Sequence, residues 1–466
     1  MKKILLFLFL SCSLLLSAQY DAWNIKLYSR FDDPSVPFES RAHARYNSCY
    51  GYYDALNHRE YGILGATTGT YIIDVTDPTH PVQVAFMEGS RVDCLWREYK
   101  TYKQFLYAVS DDPGNNSLQI FDLSKLPEVT KVYESDSIFA TAHTISVDGD
   151  KLYAASVKSK LAQKYKMAVY SLANPVLPKL LRGIDADDNS ANEPAHDMFV
   201  RNDTVIVSFG YSGLRIYIFD PLKPAFTLVG QLKQYHNGGY NHSSVLTPDG
   251  KTLVFTDEVP NGLPAKIADV SDFGDIKLIT DFHSTVAANA SHPTPHNPYL
   301  VGKDKVVISY YMDGVQVFDI SDHSKPRKIG FFDTYPDNGN TFSDGYAGCW
   351  GAYVDLPSGT LLASDMQRGL FVLNANSILH PERLAQGASA VRTYPTRLSD
   401  NLTIEGLVMN SAANFSIYDT FGNLHYTWKT EKAQYSEILS MPYLQQGLYI
   451  MKIETGGETR TLKLVK

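Results

Sequence analysis

The sequence predicts an all-β protein, and three observations lead to that prediction. A short motif occurs seven times between residues 69 and 376, at steps of 48 to 55 residues. A fixed period of this length is typical of a propeller or a solenoid. The chain also holds 31 tyrosines and 22 phenylalanines, which favour strands over helices. No convincing amphipathic helix is found outside the N-terminus.

The recurring motif is an apolar run that closes on a polar residue, as in Gly69–Pro78. We expect this run to be the third strand of each repeat. We also expect the closing side chain to hold the turn that follows. The closing residues are Asp74, Asp122, Ser171, Asp220, Asp269, Asp319 and Asn374.

Each repeat predicts four short strands in about 50 residues, which is the plan of one propeller blade. The first strands are predicted at Ser48–Tyr53, Cys94–Lys100, Ala142–Val147, Ala195–Val200, Asn241–Leu246, His296–Val301 and Cys349–Asp355. The fold class is therefore all-β, with a seven-bladed β-propeller followed by a small C-terminal β-sandwich. The segment Asn24–Phe31 resembles the fourth strands of the repeats and is expected to complete blade seven, which closes the ring.

The domain prediction has four parts. Residues 1–18 read as a signal peptide, with Lys2 and Lys3 before a short apolar run and a small-residue cleavage site. Lipidation at Cys12 is the alternative. Residues 19–384 form the propeller, 385–390 a linker of small residues, and 391–466 the sandwich. No other segment is apolar enough to span a membrane as a helix.

Composition excludes one class of partner. A net charge of −8 and a pI near 5.9 leave no basic stripe for a phosphate backbone, so nucleic acid is not expected. The mature chain would keep Cys49, Cys94 and Cys349, which allow at most one internal disulfide. Buried free thiols are the favoured interpretation.

The first strands of a propeller line its central channel, so side chains at their starts meet near one axis. The candidate ligand-binding residues are Trp96, Arg97, His143, His196, His242, His296 and Trp350. The four histidines, from consecutive repeats, are also the candidate metal ligands, because clustered imidazoles suit zinc, copper, nickel or iron.

Two other roles stay open for the histidines. They could hydrogen-bond the backbone of neighbouring blades, or bind a small polar or anionic ligand together with Arg97. Calcium is a weaker prediction: Asp185, Asp187 and Asn189 have calcium-loop spacing, but the glycine and glutamate of an EF-hand loop are missing.

The C-terminal segment resembles the type A sorting domain of the type IX secretion system. The matching motifs are Tyr394-Pro395, Asp419-Thr-Phe-Gly422, Gly447-Leu-Tyr449 and the basic end Lys463–Lys466, while Thr396-Arg397 departs from the usual opening. The resemblance implies recognition by the type IX machinery and a location outside the cell, either secreted or on the outer surface.

The repeats resemble LVIVD-repeat propellers of the choice-of-anchor B type, over Asn24–Asn374. They share the closing run Gly-x-x-Ile-x-Asp-Val-Ser-x-Pro and His or Trp at blade starts. This resemblance implies an exported seven-bladed propeller and no particular activity.

Familiar enzyme motifs for hydrolases, metalloproteases and nucleotide binding are missing from the sequence. The predicted function is therefore an exported binding or scaffold module for a protein or glycan ligand. The rival prediction is a hydrolase or lyase that uses the histidines with a metal or as acid and base.

Overall fold

The computed structural model describes residues 20–112, 114, 116–159, 163–284, 293–336, 346–380, 392–394, 401–405, 407, 411–433, 436–455 and 458–466. Within these residues the chain is all-β. Helical structure is confined there to the 3-10 turn Ile184–Ala186 and the short α-helix Asn376–Leu379. The predicted signal peptide and the linker 385–390 lie outside the described residues.

Up to Asn374 the strands form antiparallel sheets, each built mainly from the consecutive strands of one repeat. We number the sheets along the chain. Sheet 1 contains Tyr46–Asp54, Arg59–Ala66, Gly69–Asp74 and Val82–Glu88. Sheet 2 contains Glu98–Tyr102, Phe105–Val109, Leu118–Lys125 and Glu128–Ser135. Sheet 3 contains Ile145–Asp148, Lys151–Lys158, Lys164–Ser171 and Lys179–Gly183. Sheet 4 contains Asp197–Arg201, Thr204–Ser208, Leu214–Asp220 and Ala225–Leu232.

Two of the remaining sheets recruit strands from the N-terminal segment. Sheet 5 contains Asn241–Leu246, Thr252–Asp257, Ala265–Asp269 and Lys277–Phe282. Sheet 6 contains Pro298–Val301, Lys305–Ser309, Val315–Asp319 and Arg327–Phe332, with Ala22–Trp23 as a fifth strand. Sheet 7 contains Cys349–Tyr353, Thr360–Asp365 and Gly369–Asn374, and Lys26–Phe31 is its outer strand.

Several first strands begin later than the sequence pattern predicts. In sheet 2 the strand begins at Glu98 instead of Cys94, because the backbone N–H of Cys94 donates to Thr67 of sheet 1 rather than to its own sheet. The four or fewer residues before such strands form the loops that carry the candidate site.

The predicted turn role of the motif's closing residue is confirmed. In all seven repeats its side-chain oxygen accepts the backbone N–H of the residue two positions later. In the first copy, Asp74 Oδ1 accepts from Thr76 at 3.0 Å. This local bond ends the third strand. In the first six repeats it turns the chain toward the fourth strand, whereas after Asn374 the chain enters the helix Asn376–Leu379.

The hydrophobic core lies between sheets, where each sheet packs on the next one along the chain. One buried apolar cluster joins each successive pair, and another joins sheet 7 to sheet 1. The array of sheets is therefore cyclic, and the first strands enclose a central channel.

The C-terminal segment has a core of its own. A three-stranded sheet (Arg392–Tyr394, Asn401–Glu405, Ser436–Ser440) and a four-stranded sheet (Ala413–Asp419, Leu424–Thr430, Leu448–Thr455, Glu458–Val465) enclose a cluster drawn from residues 402–464. Alternating apolar residues such as Phe415, Ile417 and Met451 supply it.

Cys49, Cys94 and Cys349 are buried and free. Burial raises the pKa of the Cys49 thiol to about 12, so these groups pack as small apolar side chains. Among the described residues, no helix has the length and apolar character needed to cross a bilayer.

Candidate functional site

The four candidate histidines lie at one end of the channel, where first strands start and second strands end. The backbone N–H of His143, His196 and His296 donates to the second strand of the same sheet, at 3.0, 2.7 and 2.9 Å. His242 and Trp350 instead occupy β-bulges in the first strands of sheets 5 and 7. Bulges commonly redirect a side chain.

The imidazoles form a continuous row. Ring centroids are 4.2 Å apart between His143 and His196, 4.3 Å between His196 and His242, and 4.3 Å between His242 and His296. Trp350 extends the row, with its ring 4.7 Å from His296. Neighbouring sheets hold this spacing, since the Thr144 hydroxyl donates to the His196 carbonyl at 2.9 Å.

Each end of the row has a different polar environment. His143 Nδ1 bonds Asp111 Oδ2 at 2.7 Å, and His143 Nε2 lies 3.2 Å from His196 Nε2. His196 Nδ1 lies 3.1 Å from the Tyr240 hydroxyl. His296 Nδ1 contacts the Trp350 carbonyl, so this ring bonds the backbone of the neighbouring sheet.

The four rings differ in charge. Burial opposes protonation of His143, but the Asp111 carboxylate outweighs it and raises the pKa of this histidine to about 9. Burial and the charge of His143 lower the pKa of His242 to about 3. Burial also lowers the pKa of His196 well below its ordinary value and that of His296 to about 3. At neutral pH one protonated imidazole thus stands beside three neutral ones.

The protonation pattern defines a hydrogen-bonded chain. A doubly protonated His143 donates Nδ1–H to Asp111 and Nε2–H to His196, which leaves the proton of His196 on Nδ1, facing Tyr240. We assign these proton positions from the network. The chain Asp111–His143–His196–Tyr240 couples a carboxylate to a phenol through two rings.

Two tryptophans complete the lining, whereas Arg97 lies apart. A cavity of about 100 Å³ is lined by Trp96, Trp350 and all four histidines. Arg97 is buried and donates to the carbonyls of Ala66 and Arg91, at 2.9 and 2.6 Å. It therefore supports the loop before sheet 2 and is not brought to the histidines.

Beyond the histidines the channel widens into a chamber of about 720 Å³. Glu98, Lys100 and Asp197 line both the small cavity and this chamber. Burial raises the pKa of Glu98 and of Asp197, and Lys100 opposes the shift in both cases. These charged groups were not among the sequence candidates.

Glu258 joins the histidine row from the end of a second strand. One ligand atom each from His196, His242 and Glu258 lies within 4.8 Å of the others. Glu258 Oε1 accepts the Tyr311 hydroxyl, and the Tyr346 hydroxyl donates to the Glu258 carbonyl at 3.0 Å. The repeat held a usable signal: Asp111, Glu258 and Tyr311 all follow second strands of their repeats.

The side chains of the acidic loop bind basic partners. Asp185 accepts the backbone N–H of Lys166, and the Asn189 side chain accepts from Lys166 Nζ, which also lies 3.9 Å from Asp185 Oδ1. Asp187 pairs instead with Arg182. The three side chains therefore divide between an ammonium and a guanidinium group, which does not favour calcium.

The end of the chain has a recognisable family. Residues 392–466 match the model of the secretion system C-terminal sorting domain. This match confirms the predicted sorting domain and indicates handling by the type IX secretion machinery, with export to the cell surface or secretion. No curated protein matches the sequence.

Solved structures similar to this chain share little sequence with it. A protein from Lactobacillus plantarum is 12% identical with a TM-score of 0.50, covering 85% of this chain and 99% of its own. A putative 6-phosphogluconolactonase from Bacteroides uniformis is 15% identical (TM-score 0.48; 69% and 89% covered). The β-propeller domain of Cps50 (Swd1) from Myceliophteria thermophila is 10% identical (TM-score 0.47; 75% and 98% covered). At such identities the likeness concerns the fold alone.

Proposed function

We propose that this protein is an exported seven-bladed β-propeller that binds a neutral saccharide at the histidine end of its channel. The cyclic packing of sheets 1 to 7 supports the blade count, with residues 19–384 as the propeller and Lys26–Phe31 as the outer strand of blade seven. The sorting domain supports export, preceded by signal-peptide cleavage after residue 18 and linked through 385–390.

The observation that carries the saccharide proposal is the exposed ring of Tyr211. This side chain is 63% exposed although it stands on a tight turn with its ring edge-to-face on Tyr240, at 5.2 Å between centroids. Tyr240 in turn bonds His196. The Tyr211 ring is therefore held in solvent beside the histidines. Sugar rings commonly stack on aromatic side chains exposed in this way.

A second tyrosine, Tyr346, approaches from the sheet 7 side, and we call Tyr211 and Tyr346 the two aromatic arms. The Tyr346 ring lies edge-to-face on Tyr311, at 5.4 Å between centroids. The Tyr346 hydroxyl donates to the Glu258 carbonyl at 3.0 Å, and the Glu258 backbone N–H donates to the carbonyl of Tyr240 at 3.0 Å, so both arms are connected to Glu258.

The charges around the arms favour a ligand rich in hydroxyl groups. Asp111 and Glu258 disfavour a polyanion, while the protonated His143 disfavours a polymer that carries ammonium groups, which form no coordination bonds with the imidazoles. Hydroxyl groups donate to carboxylates and accept from imidazolium, and the C–H faces of a sugar ring stack on tyrosine.

A binding panel tests this function. Purified mature protein is titrated with neutral hexasaccharides of glucose, mannose and xylose, and with polygalacturonate and chitosan as charged counterparts. We expect saturable binding of at least one neutral hexasaccharide. Tyr211→Ala should weaken it roughly fivefold, because stacking contributes about 1 kcal/mol.

The matched control is Tyr443→Ala, which removes a tyrosine that is 94% exposed in the C-terminal segment. This variant should bind like the wild type. Binding of charged polymers alone, or equal affinity for Tyr211→Ala and wild type, would refute the saccharide proposal.

A second candidate function is a hydrolase or lyase. The chain Asp111–His143–His196–Tyr240 favours it, because a protonated ring beside a neutral one supplies an acid and a base. Incubating the bound hexasaccharides with the protein and separating products by chromatography decides between binding alone and turnover.

A further inference from the structure

The histidine row has a second chemical use at the point where it meets Glu258. The grouping of His196, His242 and Glu258 within 4.8 Å is the one cluster of three such ligand atoms in the described part of the chain. Two imidazoles and one carboxylate are a ligand set that zinc and related transition ions accept, with room for a further ligand.

His242 lies against Glu258 inside the protein. The residue is 4% exposed, so its ring has little contact with solvent. Its Nε2 lies 3.7 Å from Glu258 Oε2, which is beyond a hydrogen bond. Two ligands of one zinc ion, each about 2.0–2.1 Å from the metal, lie about 3.3 Å apart. The observed gap is close to that separation.

Two tyrosines form hydrogen bonds that orient the side chains of this cluster. Tyr240 contacts His196 Nδ1 at 3.1 Å, which leaves Nε2 of that ring for an ion. The Tyr311 hydroxyl donates to Glu258 Oε1, which leaves Oε2 facing His242. Such outer hydrogen bonds orient ligands and raise metal affinity.

We propose that His196, His242 and Glu258 bind one divalent transition-metal ion, with zinc as the representative. Coordination through His196 Nε2 breaks the hydrogen bond from His143, whose Nε2 proton is released to solvent as the ion binds, and His143 and His296 flank the site without completing it. The inference deepens the proposed function, since an open position on the ion would accept a saccharide hydroxyl. Metal binding is nevertheless measured without any saccharide.

The test measures metal content of the full mature protein. Protein stripped with a chelator is loaded with ZnCl₂, desalted and analysed by mass spectrometry of the metal, and its affinity is obtained by competition with a chromogenic chelator. We expect one zinc per chain. Glu258→Gln keeps the acceptor for Tyr311 but removes the charge, and should weaken binding at least about a hundredfold.

Tyr311→Phe provides a second variant, which should weaken binding about tenfold by freeing Glu258. Glu128→Gln, on an exposed edge strand, is the matched control and should bind like the wild type. Cobalt loading adds a visible absorption band that reports coordination geometry.

Less than about one fifth of a zinc per chain, or equal affinity for Glu258→Gln and wild type, would overturn the metal site. Retained hexasaccharide binding by the stripped protein would leave the proposed function standing.

Discussion

Asp365 is a carboxyl group at the end of the second strand of sheet 7, with no solvent exposure. Burial raises its pKa to about 6, although the Thr334 hydroxyl and the backbone N–H groups of Gln367 and Arg368 all donate to it and oppose the shift. The folded protein therefore holds this proton at pH values where the unfolded chain has lost it.

This shift predicts a pH-dependent loss of stability. The pKa rises from 3.8 to about 6 on folding, so the free energy of unfolding falls as the pH rises through that window. Two units correspond to about 3 kcal/mol. We expect Asp365→Asn, which stays neutral, to gain up to about 3 kcal/mol relative to wild type between pH 4 and pH 7 in urea unfolding.

Asp150→Asn is the control, because the Asp150 side chain is 65% exposed. Its effect on unfolding should be the same at both pH values. A constant difference between Asp365→Asn and wild type across this range would contradict the assignment of a raised pKa to Asp365.

Single residues of the site could be predicted only where the repeat marks them. The four histidines occupy equivalent positions in consecutive repeats, so their convergence followed from the fold. Arg97 adjoins Trp96 in sequence, but its side chain turns to the carbonyls of Ala66 and Arg91. Glu258 stands on a different loop of its repeat, and a side chain's direction depends on packing that periodicity does not encode.

At the scale of elements, the third strand is the part of each repeat whose start and end depend most on the local sequence. In every copy the side chain of the closing residue holds the following turn, because its oxygen accepts the backbone N–H of the residue two positions later. This is why the motif was readable in the sequence. First strands were placed less accurately, because their leading residues bond neighbouring sheets, as Cys94 does.

The glycine that opens the third strand predicts a strong local constraint. Gly314 has a φ of 70°, and a Cβ there would lie 2.1 Å from the Phe332 carbonyl oxygen. Gly369 has the same relation to Phe31. We expect Gly314→Ala to destabilise the protein by about 3 kcal/mol or more in urea unfolding, since backbone atoms must move.

Gly302→Ala separates the cost of a positive φ from the cost of the steric clash with Phe332. Gly302 has a φ of 63°, but nothing lies within 4 Å of a Cβ built there. Its substitution should cost only the left-handed backbone penalty of about 1–2 kcal/mol. Equal losses for the two variants would show that the close approach to Phe332 is not a constraint.

At the scale of the whole molecule, closure depends on the two ends of the repeat array meeting. Lys26–Phe31 pairs with Gly369–Asn374 in sheet 7. The same strand reaches sheet 1, where the Ser29 hydroxyl donates to the Pro78 carbonyl and the Phe31 ring lies 5.3 Å from Tyr71. The likeness of this segment to the fourth strands of the repeats predicted the pairing, whereas its contacts with sheet 1 depend on three-dimensional packing.

Deleting residues 20–31 should therefore open the ring. The outer strand of sheet 7 would be lost, Gly369–Asn374 would become an exposed edge, and its unpaired backbone groups would promote association. We expect the thermal midpoint of the main unfolding transition to fall by roughly 10 °C, as several kcal/mol are lost from a large domain. Calorimetry measures the midpoint, and a synthetic peptide of residues 20–31 should restore it in trans.

Deleting residues 392–466, whose core is a separate cluster, should leave the main transition in place. An unchanged midpoint after the N-terminal deletion would mean that the array of sheets holds together without the strand that joins its ends.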